Sequence, residues 1–326
     1  MSAEPIVLEG VYLRSWLRPF APWLERDDVT EILVNRPGEL FIEIVGQSGM
    51  TRVASPEIDD RLLERLASQI ARMGAQAVNR QSPLLAATLP DGARVQMIGP
   101  PATREHWAMA IRRHVATDLP LEAYDQGPLP PSPTRASPAE EEALARVHPV
   151  AFLRQAVLDR RTILISGGTS CGKTTFLNSL LRIVPEAERV VLVEDTPEVA
   201  VHQSNVVGLV AVRGDQGEAH IGVDDLLQAA LRLRPDRVIV GEIRGREATT
   251  FLRAINTGHP GSFTTIHANT PEGALDQLAL MVMQSGLGLS RGETLAYAGS
   301  VIDIVVQLSR RGGRRGIADI RVLGRC

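Results

Sequence analysis

Residues 162–175 read TILISGGTSCGKTT, and this stretch decides the fold. An apolar strand, TILIS, runs into Gly167-Gly168-Thr169-Ser170-Cys171-Gly172-Lys173-Thr174, a full match to the phosphate-loop pattern between a strand and a helix. Glycines let consecutive backbone N–H groups curl around a phosphate, and the N-terminus of the following helix adds a favourable field. The candidate nucleotide-binding set is Gly167, Gly168, Thr169, Ser170, Cys171, Gly172, Lys173, Thr174 and Thr175, with the Thr174 hydroxyl available to Mg²⁺. Of 35 Lys plus Arg, 34 are arginine and Lys173 is the single lysine. A compact ammonium on a flexible stem fits between β- and γ-phosphate oxygens, where a planar guanidinium is too large. Cys171 reads as a small loop residue rather than a redox switch.

Working outward, short apolar strands alternate with helices. VVLVE (190–194), RVIVGE (237–242) and SFTTIH (262–267) are strands; DDLLQAALRLR (224–234) and REATTFLRAINT (246–257) are helices. This alternation predicts an α/β fold with a largely parallel, buried sheet, whose active groups lie at the C-terminal strand ends. Three motifs fall there. Glu194-Asp195-Thr196-Pro197-Glu198 brings acids suited to water activation or metal contact, with Glu198 readable as a solvated turn residue. Arg237–Glu242 is a hydrophobic strand ending in acid, the Walker B arrangement; Gly241 stands where many such strands carry aspartate, so Glu242 is the group near Mg²⁺. His267 ends the next strand, in line with a γ-phosphate sensor or relay, while His259 lies in a turn.

Upstream, VTEILVNRPGELFIEIV (29–45) predicts two strands around a turn, residues 57–73 an amphipathic helix through Ile58, Leu62, Leu66, Ile70 and Met73, and LPDGARVQMIG (89–99) and WAMAIRRH (107–114) two more strands. The chain divides into an N-terminal mixed α/β domain (1–117), a Pro-rich linker and helix start (118–145) and a second domain (146–326); residues 118–137 hold five prolines. Ser137-Pro138-Ala139-Glu140 has capping-box spacing. With 44% apolar and 22% charged residues the chain is of soluble globular class. A net charge of −3 and 4% aromatics argue against direct DNA binding. Two cysteines cannot build a four-ligand zinc site. No apolar run approaches the ~20 residues of a membrane span, and the N-terminus lacks a signal-peptide pattern, so the expected location is cytoplasmic.

The phosphate loop, EDTPE, LRLRPDRVIVGEIRG and GSFTTIHAN, in this order, resemble the secretion and conjugation traffic ATPases of type II and type IV secretion, pilus assembly and DNA transfer. VTEILVNRPGELFIE, LPDGARVQ and AIRR resemble the N-terminal domain of the type IV secretion branch, and the missing tetracysteine module favours that branch over type II. The resemblance implies a RecA-like P-loop ATPase domain behind the smaller N-terminal one, using ATP and Mg²⁺. It implies a homohexameric ring at the inner face of the inner membrane, beside secretion-channel proteins and other secretion ATPases. Family roles fall on Lys173 and Thr174 (nucleotide, Mg²⁺), Glu194 (water activation), Glu242 and His267. Phosphoryl transfer gains from a further cation, and Arg94 and Arg112 match N-domain arginines that reach the nucleotide in the family. Where the family commonly has Gly-Ser, this chain has Ser170-Cys171.

Four other readings remain open: a pilus-assembly or type II ATPase, a non-hydrolysing scaffold, a small-molecule kinase, or a DNA translocase. A scaffold needs neither Glu194 nor His267, and a kinase has no use for the N-terminal domain. A translocase wants a basic groove, and the one dense run, Arg310-Arg311-Gly312-Gly313-Arg314-Arg315, sits in a hairpin turn. That run reads as solvated, or as a contact for acidic lipid or a partner.

Overall fold

The computed structural model describes residues 13, 15–113, 137–212, 219–312 and 314–324. Most of the proline-rich linker therefore lies outside the described residues, as does Cys326.

The N-terminal unit is a six-stranded antiparallel sheet in the order β3-β2-β1-β6-β5-β4. Its strands are β1 (Val29–Val34), β2 (Gly38–Ile44), β3 (Met50–Ser55), β4 (Leu84–Thr88), β5 (Arg94–Ile98) and β6 (Ala108–Arg112). A short helix α1 (Ala21–Leu24) precedes them, and α2 (Asp60–Met73) covers one face. Asp59 caps α2 by accepting from the Leu62 N–H at 2.7 Å. The buried stripe of α2 is Leu63, Leu66, Ala67, Ile70 and Ala71. Of the expected set, Leu66 and Ile70 are buried in the helix and Ile58 is buried just ahead of it, while Leu62 is half-buried and Met73 is 40% exposed, so the face is turned toward Leu63 and the alanines.

The second unit is a seven-stranded sheet in the order β13-β12-β7-β11-β10-β8-β9. Its strands are β7 (Ile163–Gly167), β8 (Val190–Glu194), β9 (Val206–Val210), β10 (Arg237–Val240), β11 (Phe263–Ile266), β12 (Ile304–Arg311) and β13 (Arg314–Val322). β7 through β12 pair in parallel and β13 closes one edge as an antiparallel hairpin. The helices are α3 (Pro138–Val147), α4 (Pro149–Leu158), α5 (Lys173–Leu181), α6 (Val223–Ala230), α7 (Glu247–Asn256), α8 (Pro271–Gln284) and α9 (Arg291–Val301). The capping box at Ser137 and Glu140 is formed. α3 packs on the β13 side, where the Val322 N–H donates to Glu142 Oε1 at 3.0 Å.

The two units share a core: Leu33, Phe41, Ala108 and Ala110 of the first pack in one buried cluster with Val191, Val207 and Leu209 of the second. The segment between β5 and β6 also extends the second sheet. Thr103 bridges Leu209 antiparallel, the Arg104 N–H donates to Gly208 O at 3.0 Å, and the Val210 N–H donates to Ala102 O at 2.9 Å. The exposed edge of β9 is thereby covered. Arg189, wholly buried, ties the units further by donating to Asn35 Oδ1 at 2.7 Å and to Asn205 Oδ1 at 2.5 Å. Its desolvation depresses the guanidinium's pKa to about 9.

Candidate functional site

β7 delivers the chain to the phosphate loop with its last residue, Gly167, buried. A side chain there would run into Cys171 Sγ and approach Leu308 O to 3.2 Å, so only glycine fits. Ser170 (φ 61°) and Gly172 (φ 92°) adopt left-handed backbone, which turns the loop into the start of α5. Cys171 is buried behind the loop as a free thiol, in keeping with a small packing residue.

In front of the loop lies a cavity of about 460 Å³. Lys173, only 9% exposed, places its ammonium 3.1 Å from Gly167 O, 3.3 Å from the His267 ring nitrogens and 3.8 Å from Glu242 Oε1. Burial lowers its pKa, against the opposing pull of Glu242. His267 Nε2 lies 2.9 Å from Glu242 Oε1, and Arg244 Nε donates to Glu242 Oε2 at 2.6 Å. That hydrogen bond, above all, raises the Arg244 pKa. Thr265 Oγ1 donates to Gly241 O at 2.8 Å, tying the end of β11 to the end of β10. Thr174 Oγ1 donates to Glu198 Oε2 at 3.2 Å, so Glu198 lines the mouth of the cavity while remaining exposed to solvent, as a turn residue there would.

Glu194, 2% exposed, is held from both sides. Its Oε1 accepts from the Glu198 N–H at 2.9 Å and the Val199 N–H at 2.8 Å. Its Oε2 pairs with Arg104, whose guanidinium also donates to Val199 O at 2.7 Å. Arg104 comes from the N-terminal unit.

The structure thus gathers Lys173, Thr174, Thr175, Glu194, Glu242 and His267 around one cavity. Arg94 and Arg112 are not brought there. They are neighbours across β5 and β6, and Arg112 Nε faces Glu31 Oε1 at 3.5 Å with 73% of its side chain exposed. Among the described residues, the N-terminal arginine that reaches the site is Arg104, because the loop between those strands leans on β9 while the strands themselves do not. His259 is structural: its Nδ1 meets Pro235 O at 3.0 Å and burial lowers its pKa. Arg104, Arg244 and Arg315 were missed. Arg244 follows Glu242 by two residues, a readable signal; Arg104 sits in irregular sequence with none.

The donor set suits a nucleotide with Mg²⁺. Among the described residues no cluster of three or more His, Cys, Asp or Glu forms a metal cage. Thr174 and Glu242 instead offer one hydroxyl and one carboxylate at the phosphate loop, as expected for an ion held chiefly by phosphates and water. Among the described residues no helix is long and apolar enough to cross a membrane.

A loop of this kind on a parallel strand, with β11, β10 and β8 presenting histidine and acids in succession beside it, is the arrangement of the RecA-like P-loop ATPases. Within that class the chain belongs to the type II/IV secretion system protein family, whose family model matches residues 17–312. It is 34% identical over 325 residues to the type IV secretion system protein VirB11 of Bartonella henselae, covering 93% of this chain and 91% of that protein. It is 38% identical over 317 residues to the type IV secretion system protein PtlH of Bordetella pertussis, covering 93% of each. The crystal structure of the VirB11 ATPase from the Brucella suis type IV secretion system, in complex with sulphate, superposes with a TM-score of 0.88 at 31% identity over 97% of this chain and 96% of that one.

Proposed function

We propose that this chain hydrolyses ATP at the Lys173 cavity and that the hydrolysis drives a type IV secretion apparatus. The observation that carries the reading is the position of the Lys173 ammonium, shared among the loop carbonyl of Gly167, His267 and Glu242. An anion with several oxygens is what would displace those contacts and satisfy the loop N–H groups together. Lys173 and the loop N–H groups neutralise the β- and γ-phosphates. Thr174 and Glu242 would hold Mg²⁺, and the bound ion would supply positive charge to stabilise the transferred phosphoryl group. His267, bonded to Glu242 and beside Lys173, reports the γ-phosphate to the neighbouring strands. Glu194 orients the attacking water and receives its proton, and the Arg104 contact makes that carboxylate answerable to the N-terminal unit.

The motor works as a homohexamer at the cytoplasmic face of the inner membrane, against channel proteins of the apparatus. What supports this is the family membership and the matching of nearly the whole chain to type IV secretion proteins. Phosphate release by the purified protein tests the chemistry. Lys173→Ala should lose binding and turnover, and Glu194→Gln should keep ATP bound but stalled. Glu194→Gln turning over at the wild-type rate would take the water-activating role from Glu194. Light scattering with and without ATP and Mg²⁺ tests the ring, which a monomer under both conditions would exclude.

A further inference from the structure

The order of strands gives the cavity two unlike ends. β7, which carries the phosphate loop, has β11 on one side and β12 on the other. His267 follows β11, Glu242 follows β10 and Glu194 ends β8, so the groups suited to γ-phosphoryl chemistry all stand on the β11 side. The Lys173 ammonium leans the same way. The rest of a bound nucleotide must then point toward the opposite wall, which belongs to the β12–β13 hairpin.

One hairpin side chain lines the cavity, Arg315 near the start of β13. It lies against the phosphate loop: a Cβ built on Gly172 would come within 3.0 Å of Arg315 Cδ and 3.6 Å of its Nε. The cations on the γ side are matched by acids, Lys173 and Arg244 with Glu242 and Arg104 with Glu194. Arg315 forms no ion pair with any of the described residues. An exposed guanidinium held against a phosphate loop, with no carboxylate of its own, is placed to take an anion. Its planar fork suits two oxygens of one phosphate.

We propose that Arg315 is a nucleotide-binding residue that grips the α-phosphate, so that the C-terminal hairpin holds the nucleoside end while Lys173 and the acids act on the γ end. The proposal rests on the nucleotide reading of the cavity above. Because ATP and ADP share the α-phosphate, the contact stabilises both equally and leaves the reacting bond untouched. Its loss is therefore felt in affinity and not in the chemical step.

The test uses a fluorescent ADP analogue for affinity and phosphate release for turnover, on the full chain and on Arg315→Ala, Arg315→Lys and Arg314→Ala. Arg315→Ala should weaken ADP binding and raise KM for ATP by about 10- to 100-fold, the range for a charged hydrogen bond, with kcat within about twofold of wild type at saturation. Arg315→Lys, keeping the charge without the fork, should recover part of the loss, and the exposed neighbour variant Arg314→Ala should match wild type. Unchanged affinity in Arg315→Ala overturns the proposal, as does a fall in kcat with ADP affinity intact. A wild-type protein that fails to bind the ADP analogue overturns the nucleotide reading itself and the proposal with it.

Discussion

Arg104 and Glu194 join two units of the chain through one ion pair, and a double-mutant cycle measures what that pair is worth. The perturbations are Arg104→Ala, Glu194→Gln and the two combined. Glu194 is 2% exposed, while the Arg104 side chain keeps 33% of its surface in solvent. Stripping one partner from a fully buried pair costs about 3–5 kcal/mol, and an exposed pair contributes about 0–1 kcal/mol. The Arg104 pair sits between these limits, which puts the coupling at about 2 kcal/mol. The bond from Arg104 to Val199 O is lost in both Arg104 variants and so cancels from the cycle. Urea unfolding of the four proteins gives the coupling directly. The double variant should be about 2 kcal/mol more stable than the sum of the single losses predicts. Additivity to within about 0.5 kcal/mol would refute the argument that the carboxylate depends on this guanidinium.

Three further outcomes are expected. Lys173→Arg should abolish phosphate release as completely as Lys173→Ala, since the 9% exposed crevice holds an ammonium and not a planar fork. Gly167→Ala should weaken binding of the ADP analogue and destabilise the fold by about 1–3 kcal/mol through the clash with Cys171 Sγ, and adding Cys171→Ala should relieve most of it, as equilibrium binding and unfolding would record. Burial raises the Glu31 pKa to about 7 against the pull of Arg112, above its ordinary 4.5. The folded state therefore holds that proton more tightly than the unfolded chain. The associated stability is fully present below about 4.5 and is lost as pH rises through about 7, an order of about 3 kcal/mol. Unfolding free energies of wild type and Glu31→Gln should diverge over that window in favour of the glutamine, and parallel curves would count against it.

The parallel strands β7, β8, β10 and β11 were legible because each is buried and ends in, or runs directly into, a residue type the chemistry demands. β3 and β4 were not, since both lie at sheet edges with mostly exposed or half-exposed residues and no alternating pattern. β9 escaped for a different reason: its residues, VVGLV, are apolar or glycine throughout and so show no alternation in the sequence, and its outer edge is completed by Ala102–Arg104, roughly a hundred residues earlier. The same non-local pairing explains the arginines. Arg104 enters the site through a sheet addition that no local periodicity announces, and Arg315 through a hairpin whose polar turn resembles solvated surface. Arg94 and Arg112 have the expected strand context, yet in this fold they pair across β5 and β6 and neither lines the cavity.

Having one lysine, set at the first turn of α5 and nearly closed off from solvent, leaves a lysine-specific endoprotease a single bond to cut, that between Lys173 and Thr174. A protease needs several residues in extended form, so cleavage must wait for the loop–helix junction to open. At low enzyme concentration the rate at which fragments 1–173 and 174–326 appear then follows the equilibrium population in which that junction is open, whether through local opening or global unfolding. Nucleotide seated on the loop slows cleavage by the fraction of sites filled, so a gel of two bands gives an affinity without any label.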